Sequence, residues 1–405
     1  MREGKRRGEE QAARTLPAAS LGKDAKAECN AIGAIGTEEL GESHESCTIN
    51  AIQVTVFGLY NWPIRVDPSN AIHVSRASTH RLGAVAIGRN EGERFKRCLA
   101  SLLGRTAHIV YVDSGSTDGS VEHAHEHGVD VVDLDRSIPF TAARARNAGF
   151  GRLQEIAPEV ERVMFVDGDC EVREGWLDAA DQFLDEHPEH AVVCGRRRER
   201  YPEASVYNYL CDVEWNTPIG DADACGGDAL MRVDALSAVG GYDPSLIAGE
   251  EPELCIRLRA AGWKIRRLDE EMTLLDANVT QLSQWWTRAI RAGHSYAEVS
   301  SMHDDDLSRE WRSKSAKALL WAFFIPAASV VSVPFTSSYS LGLFLLYPLN
   351  VARIANRLRR DGERRPWAVA TFLMLSKFPE ALGWLRYKRG RITGERSAII
   401  EYKQS

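Results

Sequence analysis

Two aspartates stand at the end of a short apolar segment. Residues 163–172 read VMFVDGDCEV, so Asp167 and Asp169 follow four apolar residues and are separated by one glycine. Because side chains alternate between the two faces of a strand, both carboxylates can point the same way where it ends. Carboxylate oxygens suit Mg²⁺ or Mn²⁺, which in turn suit a diphosphate. The pattern predicts a metal site for a nucleotide-activated substrate, with an Asp-Gly turn after a buried strand as the alternative.

Polar residues also follow two other short apolar runs. Asn90 and Glu91 come after the first, and the loop DSGSTDGS, which contains Asp113 and Asp118, comes after the second. Short polar side chains in such a loop can hold a nucleobase or ribose through hydrogen bonds. We predict that these four residues bind a nucleotide, although an ordinary turn and helix cap would use the same residue types. Neither a Walker loop nor a GxGxxG motif is present here.

Two arginines are candidates for phosphate binding. Arg146 lies in FTAARARNAG, which reads as the start of a helix, where a guanidinium is well placed for phosphate. Arg288 lies in QWWTRAIRAGHSY, which could close over a diphosphate. The alternatives are a solvated helix face for Arg146 and an amphipathic helix packing its tryptophans on the core for Arg288.

Two further motifs contain glycines and glutamates. Gly227 and Asp228 belong to CGGDAL, where paired glycines permit close approach of the backbone to a donor ligand. Glu250 and Glu251 precede the apolar positions of a helix, with Pro252 in its first turn. A glutamate facing a cleft can take a proton from a sugar hydroxyl, but acids at a helix N-terminus are also explained by the helix dipole.

These residues belong to a segment in which strand-length apolar runs alternate with helical patterns. The predicted strands are 84–87, 109–112, 129–134, 163–166 and 191–194, and helical patterns cover 93–103 and 175–184. Strand and helix repeated in this way predict an α/β fold with a largely parallel sheet flanked by helices. Ligands of such sheets bind beyond the carboxyl ends of the strands, where the acids described above lie.

Taken in order, the motifs resemble the family 2 glycosyltransferases, inverting enzymes with the GT-A fold. The resemblance covers about residues 82–294 and rests on AIGRNEGERFKRCLASL, VDSGSTDGS, ARARNAG, FVDGDCEV in place of the family's DxD, GGYD and GEEPELCIRL. It implies transfer of a sugar from a nucleoside diphosphate donor of the UDP or GDP type to an acceptor hydroxyl. A hexosyltransferase of polysaccharide biosynthesis, acting on a lipid-linked or cell-surface glycan, is the resulting expectation.

The resemblance also implies individual roles. Asp113 would bind the nucleobase or ribose, Asp167 the ribose or sugar, and Asp169 the Mg²⁺ or Mn²⁺ on the diphosphate, with Asp167 beside it. The catalytic base would be Glu251, where the family usually has aspartate, and Glu250 is a credible substitute.

Three questions of function remain open from the sequence. The family's Gln-x-x-Arg-Trp signature of processive synthases is not cleanly present, because QWWTR changes its spacing, so we predict addition of a single sugar. A nucleotidyltransferase of similar fold would release pyrophosphate instead. A non-catalytic nucleotide- or glycan-binding protein is the third possibility.

Composition excludes some partners and divides the chain into regions. With 50 basic and 57 acidic residues, the chain lacks the basic excess of a nucleic-acid-binding protein. Residues 1–80 show no sustained period, which predicts a largely disordered extension before a catalytic domain at 81–300. No apolar stretch follows the basic N-terminus, so the sequence predicts no secretory signal.

The C-terminal region, 301–405, is predicted to be helical and membrane-associated. Residues 318–352 carry no charge, and one continuous helix of that length would be about 52 Å long, so we expect a hairpin broken near Pro334. Whether it spans or re-enters is open. A third, interfacial helix is predicted at 367–385, in a basic tail. Lysines and arginines flank the hairpin, which predicts membrane contact through residues 318–385 at the cytoplasmic face of the cell membrane.

Overall fold

The computed structural model describes residues 80–303 and 306–394. The predicted N-terminal extension, except for its last residue, and residues 395–405 of the predicted tail lie outside this range. Within the described residues, nine strands form one sheet, and seven helices belong to the same part of the chain. The strands are β1 Leu82–Gly88, β2 His108–Asp113, β3 Asp130–Asp133, β4 Arg162–Asp167, β5 Cys170–Val172, β6 His190–Glu199, β7 Gly220–Asp221, β8 Ala229–Arg232 and β9 Lys264–Leu275. The helices are α1 Glu93–Leu102, α2 Ser120–Glu126, α3 Ala142–Ile156, α4 Trp176–Glu186, α5 Val206–Glu214, α6 Val233–Ala238 and α7 Glu250–Ala260.

One half of the sheet is parallel and carries the predicted acids. The strands β3, β2, β1 and β4 lie side by side in this order, and every pairing among them is parallel. In register, Gly88 of β1 pairs with Asp113 of β2, and Ile87 pairs with Asp167 of β4. The two aspartates therefore lie at the same edge of the sheet, on the two strands that flank β1.

The other half is antiparallel in most of its pairings, so the sheet is mixed rather than largely parallel. Strand β8 runs antiparallel to both β4 and β6, β9 is parallel to β6, and β5 and β7 pair antiparallel with β9. The predicted α/β class with flanking helices is confirmed. Strand direction was not readable from the sequence because β8 is short and β9 carries charges through its centre.

Helix α3 packs closely on the sheet because glycines lie at the contact, Gly149 on the helix and Gly83 on β1. A Cβ atom on Gly149 would collide with Val85 and Val112, and one on Gly83 would lie 2.7 Å from Leu153. Side chains one turn before Gly149 are consequently held over the carboxyl ends of β1 and β4. Arg146 lies at that position and is only 2% exposed.

The remaining described residues are helical. They form α8 Leu282–Met302, α9 Arg309–Leu319, a π-helical turn Leu320–Phe324, α10 Ile325–Val331, α11 Val333–Thr336, a 3₁₀ helix Tyr339–Leu345, α12 Leu346–Arg360, α13 Pro366–Leu375 and α14 Lys377–Thr393. Helix α8 continues through the domain boundary predicted at residue 300. By length and composition, one helix among the described residues, Asp306–Val331, is long and apolar enough to be a candidate for crossing a membrane.

Helices α8 and α14 cross at two glycines. A Cβ atom on Gly293 would collide with the backbone of Glu380, and one on Gly383 would collide with the carbonyl oxygen of Ile290. The structure therefore differs from the single interfacial helix predicted at 367–385. The segment breaks at Ser376 between α13 and α14, and α14 is partly buried against α8 because the glycines allow backbone contact.

The predicted break in the uncharged segment 318–352 is present. Helix α10 ends at Val331, and the chain reverses at Ser337 and Ser338, whose φ angles of 45° and 72° are both positive. The polar stretch 336–340 thus forms the turn. The two sides of the turn are helical, with a 3₁₀ segment on the returning side.

Candidate active site

Asp113 shapes the loop that follows β2. Its carboxylate accepts hydrogen bonds from the backbone N–H groups of Gly115 and Ser116, both at 2.8 Å, and from the hydroxyl of Tyr111 at 3.0 Å. The side chain is buried, and Gly115 has a φ of 99°, which favours glycine. Asp113 therefore holds a tight polar turn at the edge of the sheet.

Asn90 and Asp118 join the loops after β1 and β2. The Asn90 side chain accepts from the Thr117 N–H at 2.8 Å, and the Asp118 carboxylate accepts from the Gly92 N–H at 2.7 Å. Glu91 forms an ion pair with Arg94 at 2.8 Å. The structure thus brings the four predicted nucleotide-binding residues of these loops to one sheet edge, where Asn90 and Asp118 stabilise the loop pair.

Arg146 is at the centre of a buried group of acids. Its guanidinium lies 2.9 Å from Asp167 Oδ1, 2.7 Å from Glu250 Oε1 and 3.1 Å from Glu251 Oε1. The sequence predicted a phosphate contact for this arginine. It is instead buried and pairs with carboxylates from β4 and α7, because the close packing of α3 holds it at the carboxyl ends of β1 and β4.

Gly227 lies where these groups converge. A Cβ atom built on it would be 2.8 Å from Arg146 Nη2, 2.9 Å from Asp167 Oδ2 and 3.2 Å from Glu251 Oε1. The missing side chain therefore lets an aspartate, a glutamate and an arginine pack together against the backbone of Gly227. The sequence predicted close approach of a ligand at this glycine. The structure shows close approach of the Arg146, Asp167 and Glu251 side chains.

Asp228 holds the backbone of Asp167 through a hydrogen bond. It is fully buried and accepts from the Asp167 N–H at 3.0 Å and from the Thr273 hydroxyl at 2.7 Å. Arg197 completes the group at 2.6 Å from Asp228 and 3.5 Å from Asp167. The sequence predicted that Asp228 binds the donor, and in this structure its buried carboxylate contacts protein donors.

Arg197 and Thr273 were not predicted as site residues. Arg197 lies in the run RRR of β6, where its neighbours Arg196 and Arg198 both pair with Asp212 while Arg197 turns toward Asp167. The alternation of side chains along a strand explains this division. Extending the predicted strand 191–194 through the arginines would have revealed it.

Of the two adjacent glutamates, Glu251 is better placed to act as a base. The Glu251 side chain is 16% exposed and lies next to Gly227. The Glu250 side chain is only 4% exposed and lies closer to Arg146, at 2.7 Å. Burial and the neighbouring Glu250 raise the pKa of Glu251 to about 7, although Arg146 opposes the shift. A carboxylate with such a pKa is a suitable proton acceptor near neutral pH.

The donor atoms near Asp167 fit a hard divalent cation only in part. Ligand atoms of Asp167, Cys170 and Asp228 lie within 4.8 Å of one another. Burial and the nearby carboxylates raise the pKa of the Cys170 thiol well above its usual value, so the thiol stays protonated and is a poor ligand. Asp228 is held by Arg197 and Thr273. The oxygen donors of this group therefore come from Asp167 and Asp228, and Asp169, the metal ligand predicted from the sequence, is not part of it.

Helix α8 packs against the start of α7, which carries the two glutamates. A Cβ atom on Gly249 would collide with the Ser295 hydroxyl, and Gly249 has a φ of 85°. At the end of α8, the His303 ring lies 3.1 Å from Glu253. Contacts with α8 therefore hold the first turn of α7, which carries Glu251.

Gln284 and Arg288, from the altered processive signature, serve α8 itself. The Gln284 side chain accepts from the N–H groups of Thr280 and Gln281 at 2.8 and 3.0 Å, which caps the helix. Arg288 forms an ion pair with Glu214 at the end of α5. Arg288 was predicted to contact the donor. In this structure its ion pair with Glu214 links α8 to α5.

Sequence comparison relates the central part of the chain to a known family. The family described as Glycosyl transferase family 2 matches residues 86–239. The pre-mycofactocin glycosyltransferase of Mycobacterium tuberculosis (strain ATCC 25618 / H37Rv) is 29% identical over 243 residues, which are 56% of this chain and 49% of that protein. The succinoglycan biosynthesis protein ExoA of Rhizobium meliloti (strain 1021) is 26% identical over 178 residues, 42% of this chain and 54% of that protein. The chain thus spans about half the length of these curated relatives.

A solved structure shares the fold. The mannosyltransferase PcManGT from Pyrobaculum calidifontis, in complex with GDP-Man and Mn²⁺, superposes with a TM-score of 0.53 and 16% sequence identity. The likeness covers 75% of this chain and 87% of that one. It supports the predicted GT-A fold.

Proposed function

We propose, from the premise that residues 86–239 belong to glycosyl transferase family 2, that this chain transfers a sugar from a nucleoside diphosphate donor to an acceptor hydroxyl. The observation that carries the proposal is the convergence of Asp167, Glu251 and Arg146 at the backbone of Gly227. This arrangement combines a proton acceptor with an acid at the predicted donor edge of the sheet.

In the proposed reaction, Glu251 takes the proton of the acceptor hydroxyl. The hydroxyl oxygen forms a bond to the anomeric carbon while the bond from that carbon to the diphosphate oxygen breaks, which inverts the configuration. Arg146 and Arg197 hold Asp167 in position toward the donor. Asp169 and Asp167 would hold Mg²⁺ or Mn²⁺, which offsets the negative charge of the departing diphosphate.

The acceptor is proposed to be a glycan or a lipid-linked glycan, and the product to carry one added sugar. The names of the two relatives refer to different molecules, pre-mycofactocin and succinoglycan, so they do not select one acceptor. The helix-capping role of Gln284 and the Arg288–Glu214 pair support single addition, because both residues have structural partners. The apolar segment 318–352 supports an acceptor at the cytoplasmic face of a membrane.

The experiment that tests the function measures donor binding and products together. Purified protein is heated with UDP- and GDP-sugars, with and without Mn²⁺. The correct donor at 100 times its Kd should stabilise the protein by about 2.7 kcal/mol. Asp169→Asn should lose the metal-dependent part of this stabilisation, whereas Asp133→Asn, an exposed acid at the end of β3, should retain it. Release of pyrophosphate instead of a nucleoside diphosphate would identify a nucleotidyltransferase, and no turnover with any donor would favour a binding protein.

Gly227 offers a second test, because its neighbour provides a matched control. Gly227→Ala is expected to lower sugar transfer about 100-fold, since the new methyl group must displace Asp167 or Glu251. Gly226→Ala should leave the rate nearly unchanged, because nothing lies within 4 Å of a Cβ atom at that position. Steady-state rates of the two variants decide the matter. Equal rates would show that the convergence at Gly227 has no part in the reaction.

A further inference from the structure

Residues 318–352, called here the apolar hairpin, expose an uncharged surface. Phe335 and Tyr339, on the two sides of its turn, are each 86% exposed. Other large apolar side chains on the hairpin are also more than one-third exposed, namely Leu320, Phe323, Phe324, Val330, Val331, Leu341, Leu343, Phe344, Leu345, Leu346 and Leu349. A continuous exposed apolar surface of this kind marks a contact with a membrane or another protein.

The two arms of the hairpin are joined by hydrogen bonds of their own. The Ser329 hydroxyl donates to the Ser340 carbonyl oxygen at 2.9 Å, and the Ser340 hydroxyl donates to the Ser329 carbonyl oxygen at 2.8 Å. Nearer the base, the Tyr347 hydroxyl donates to the Trp321 carbonyl oxygen. Such internal satisfaction of polar groups is what a hydrocarbon environment requires.

The uncharged parts of the two arms are each shorter than the hydrocarbon core of a bilayer. The uncharged part of the outgoing arm, residues 318–331, rises about 21 Å, and the returning arm, residues 339–352, rises about 25 Å. The hydrocarbon core is about 30 Å thick. Helix α9 belongs to the same continuous helix, Asp306–Val331, but it is charged, and its Lys314 ammonium lies 4.3 Å from the Trp311 ring and 5.4 Å from the Tyr296 ring of α8. We therefore place α9 against the protein and outside the hydrocarbon core.

Basic residues lie at the base of both arms. Lys314 and Lys317 precede the hairpin, and the last turns of α12 carry Arg353, Arg357 and a pair of arginines at 359–360. This charge is complementary to the anionic headgroups of a cytoplasmic leaflet. The favoured occupant of the apolar surface is therefore a lipid bilayer rather than a second protein.

We propose that the apolar hairpin enters and leaves the bilayer from the cytoplasmic side without crossing it, an inference that rests on the membrane association proposed above. The turn at Ser337 and Ser338 then lies inside the hydrocarbon region. The basic ends of both arms lie on the same side as the catalytic domain. This arrangement makes the protein re-entrant rather than transmembrane.

Labelling of introduced cysteines by a membrane-impermeant maleimide tests this topology in sealed vesicles of known orientation. Arg309→Cys and Arg360→Cys should react from the cytoplasmic side, and Ser337→Cys should react from neither side until detergent is added. Wild-type protein supplies the background from native cysteines. Reaction of Ser337→Cys from the far side would show that the hairpin spans. Reaction from the cytoplasmic side would show that its turn is not in lipid, which also overturns the proposal.

A double substitution tests whether the apolar hairpin binds a lipid bilayer rather than another protein. Phe335→Asp with Tyr339→Asp should reduce the fraction of protein that floats with vesicles containing phosphatidylserine at least fivefold. Ile392→Asp, equally exposed at 85% but on α14, should not. Flotation unchanged by the paired substitution would overturn the proposal. Donor-dependent thermal stabilisation, measured on the same samples, reports on the proposed sugar transfer separately, because it does not depend on lipid.

Discussion

Replacement of Glu251 by glutamine is expected to lower sugar transfer by roughly 10²–10⁴-fold while thermal stabilisation by the donor is retained. Glutamine keeps the size of the side chain but cannot accept the hydroxyl proton. Glu251→Asp should recover measurable turnover, because it retains a carboxylate and shortens the side chain by one methylene. Steady-state rates at saturating donor provide the comparison.

The pH profile distinguishes a base from a structural acid. The base is active when ionised, so turnover of the wild-type enzyme should rise with pH through about 7, the pKa expected of Glu251, and then level off. The residual activity of Glu251→Gln should lack this rise. If Glu250→Gln removed the rise and Glu251→Gln did not, Glu250 would be the base.

Arg146→Met is expected to destabilise the fold by about 3–5 kcal/mol at pH 8, because it removes the buried counter-charge of Glu250 and Glu251 and leaves Asp167 with only the 3.5 Å contact to Arg197. Protonation relieves that repulsion, so the loss of stability should become smaller as the pH falls toward 5. Urea unfolding at several pH values measures both effects.

Arg152→Met is the matched control for this variant. Arg152 lies on the same helix, but its side chain is 41% exposed and pairs with Asp130 near the surface. Exposed pairs contribute about 0–1 kcal/mol, so this change should be small at every pH. Equal losses from the two substitutions would contradict the central role assigned to Arg146.

The acids Asp113 and Asp167 could be placed together from the sequence, because the carboxyl ends of parallel strands lie at the same edge of a sheet. The apolar runs before Asp113 and Asp167 were sufficient to place both residues at strand ends, and the register of β1 with its neighbours places them together. Glu251 was identified through family resemblance, since the pattern alone also fitted a helix cap.

The sequence did not reveal which charged residues would be buried. Arg146 read as a phosphate ligand and Asp228 as a donor ligand, yet both side chains are buried among protein partners. Their burial depends on the close packing of α3 and on β8 running antiparallel beside β4, which are long-range pairings without a local signal. The crossing of α8 with α14 was hidden for the same reason, because single glycines in helices have many local explanations.

The contact between Gly293 and Gly383 has a consequence for how substrates are chosen. Helix α8 touches the start of α7 at Gly249 and touches α14 at these two glycines, so the proposed base Glu251 and the C-terminal helices both rest on α8. On the proposed membrane arrangement, the height of Glu251 above the lipid surface is constant. The enzyme then selects acceptors by reach: a hydroxyl carried too near the headgroups or too far into the cytosol never meets the base.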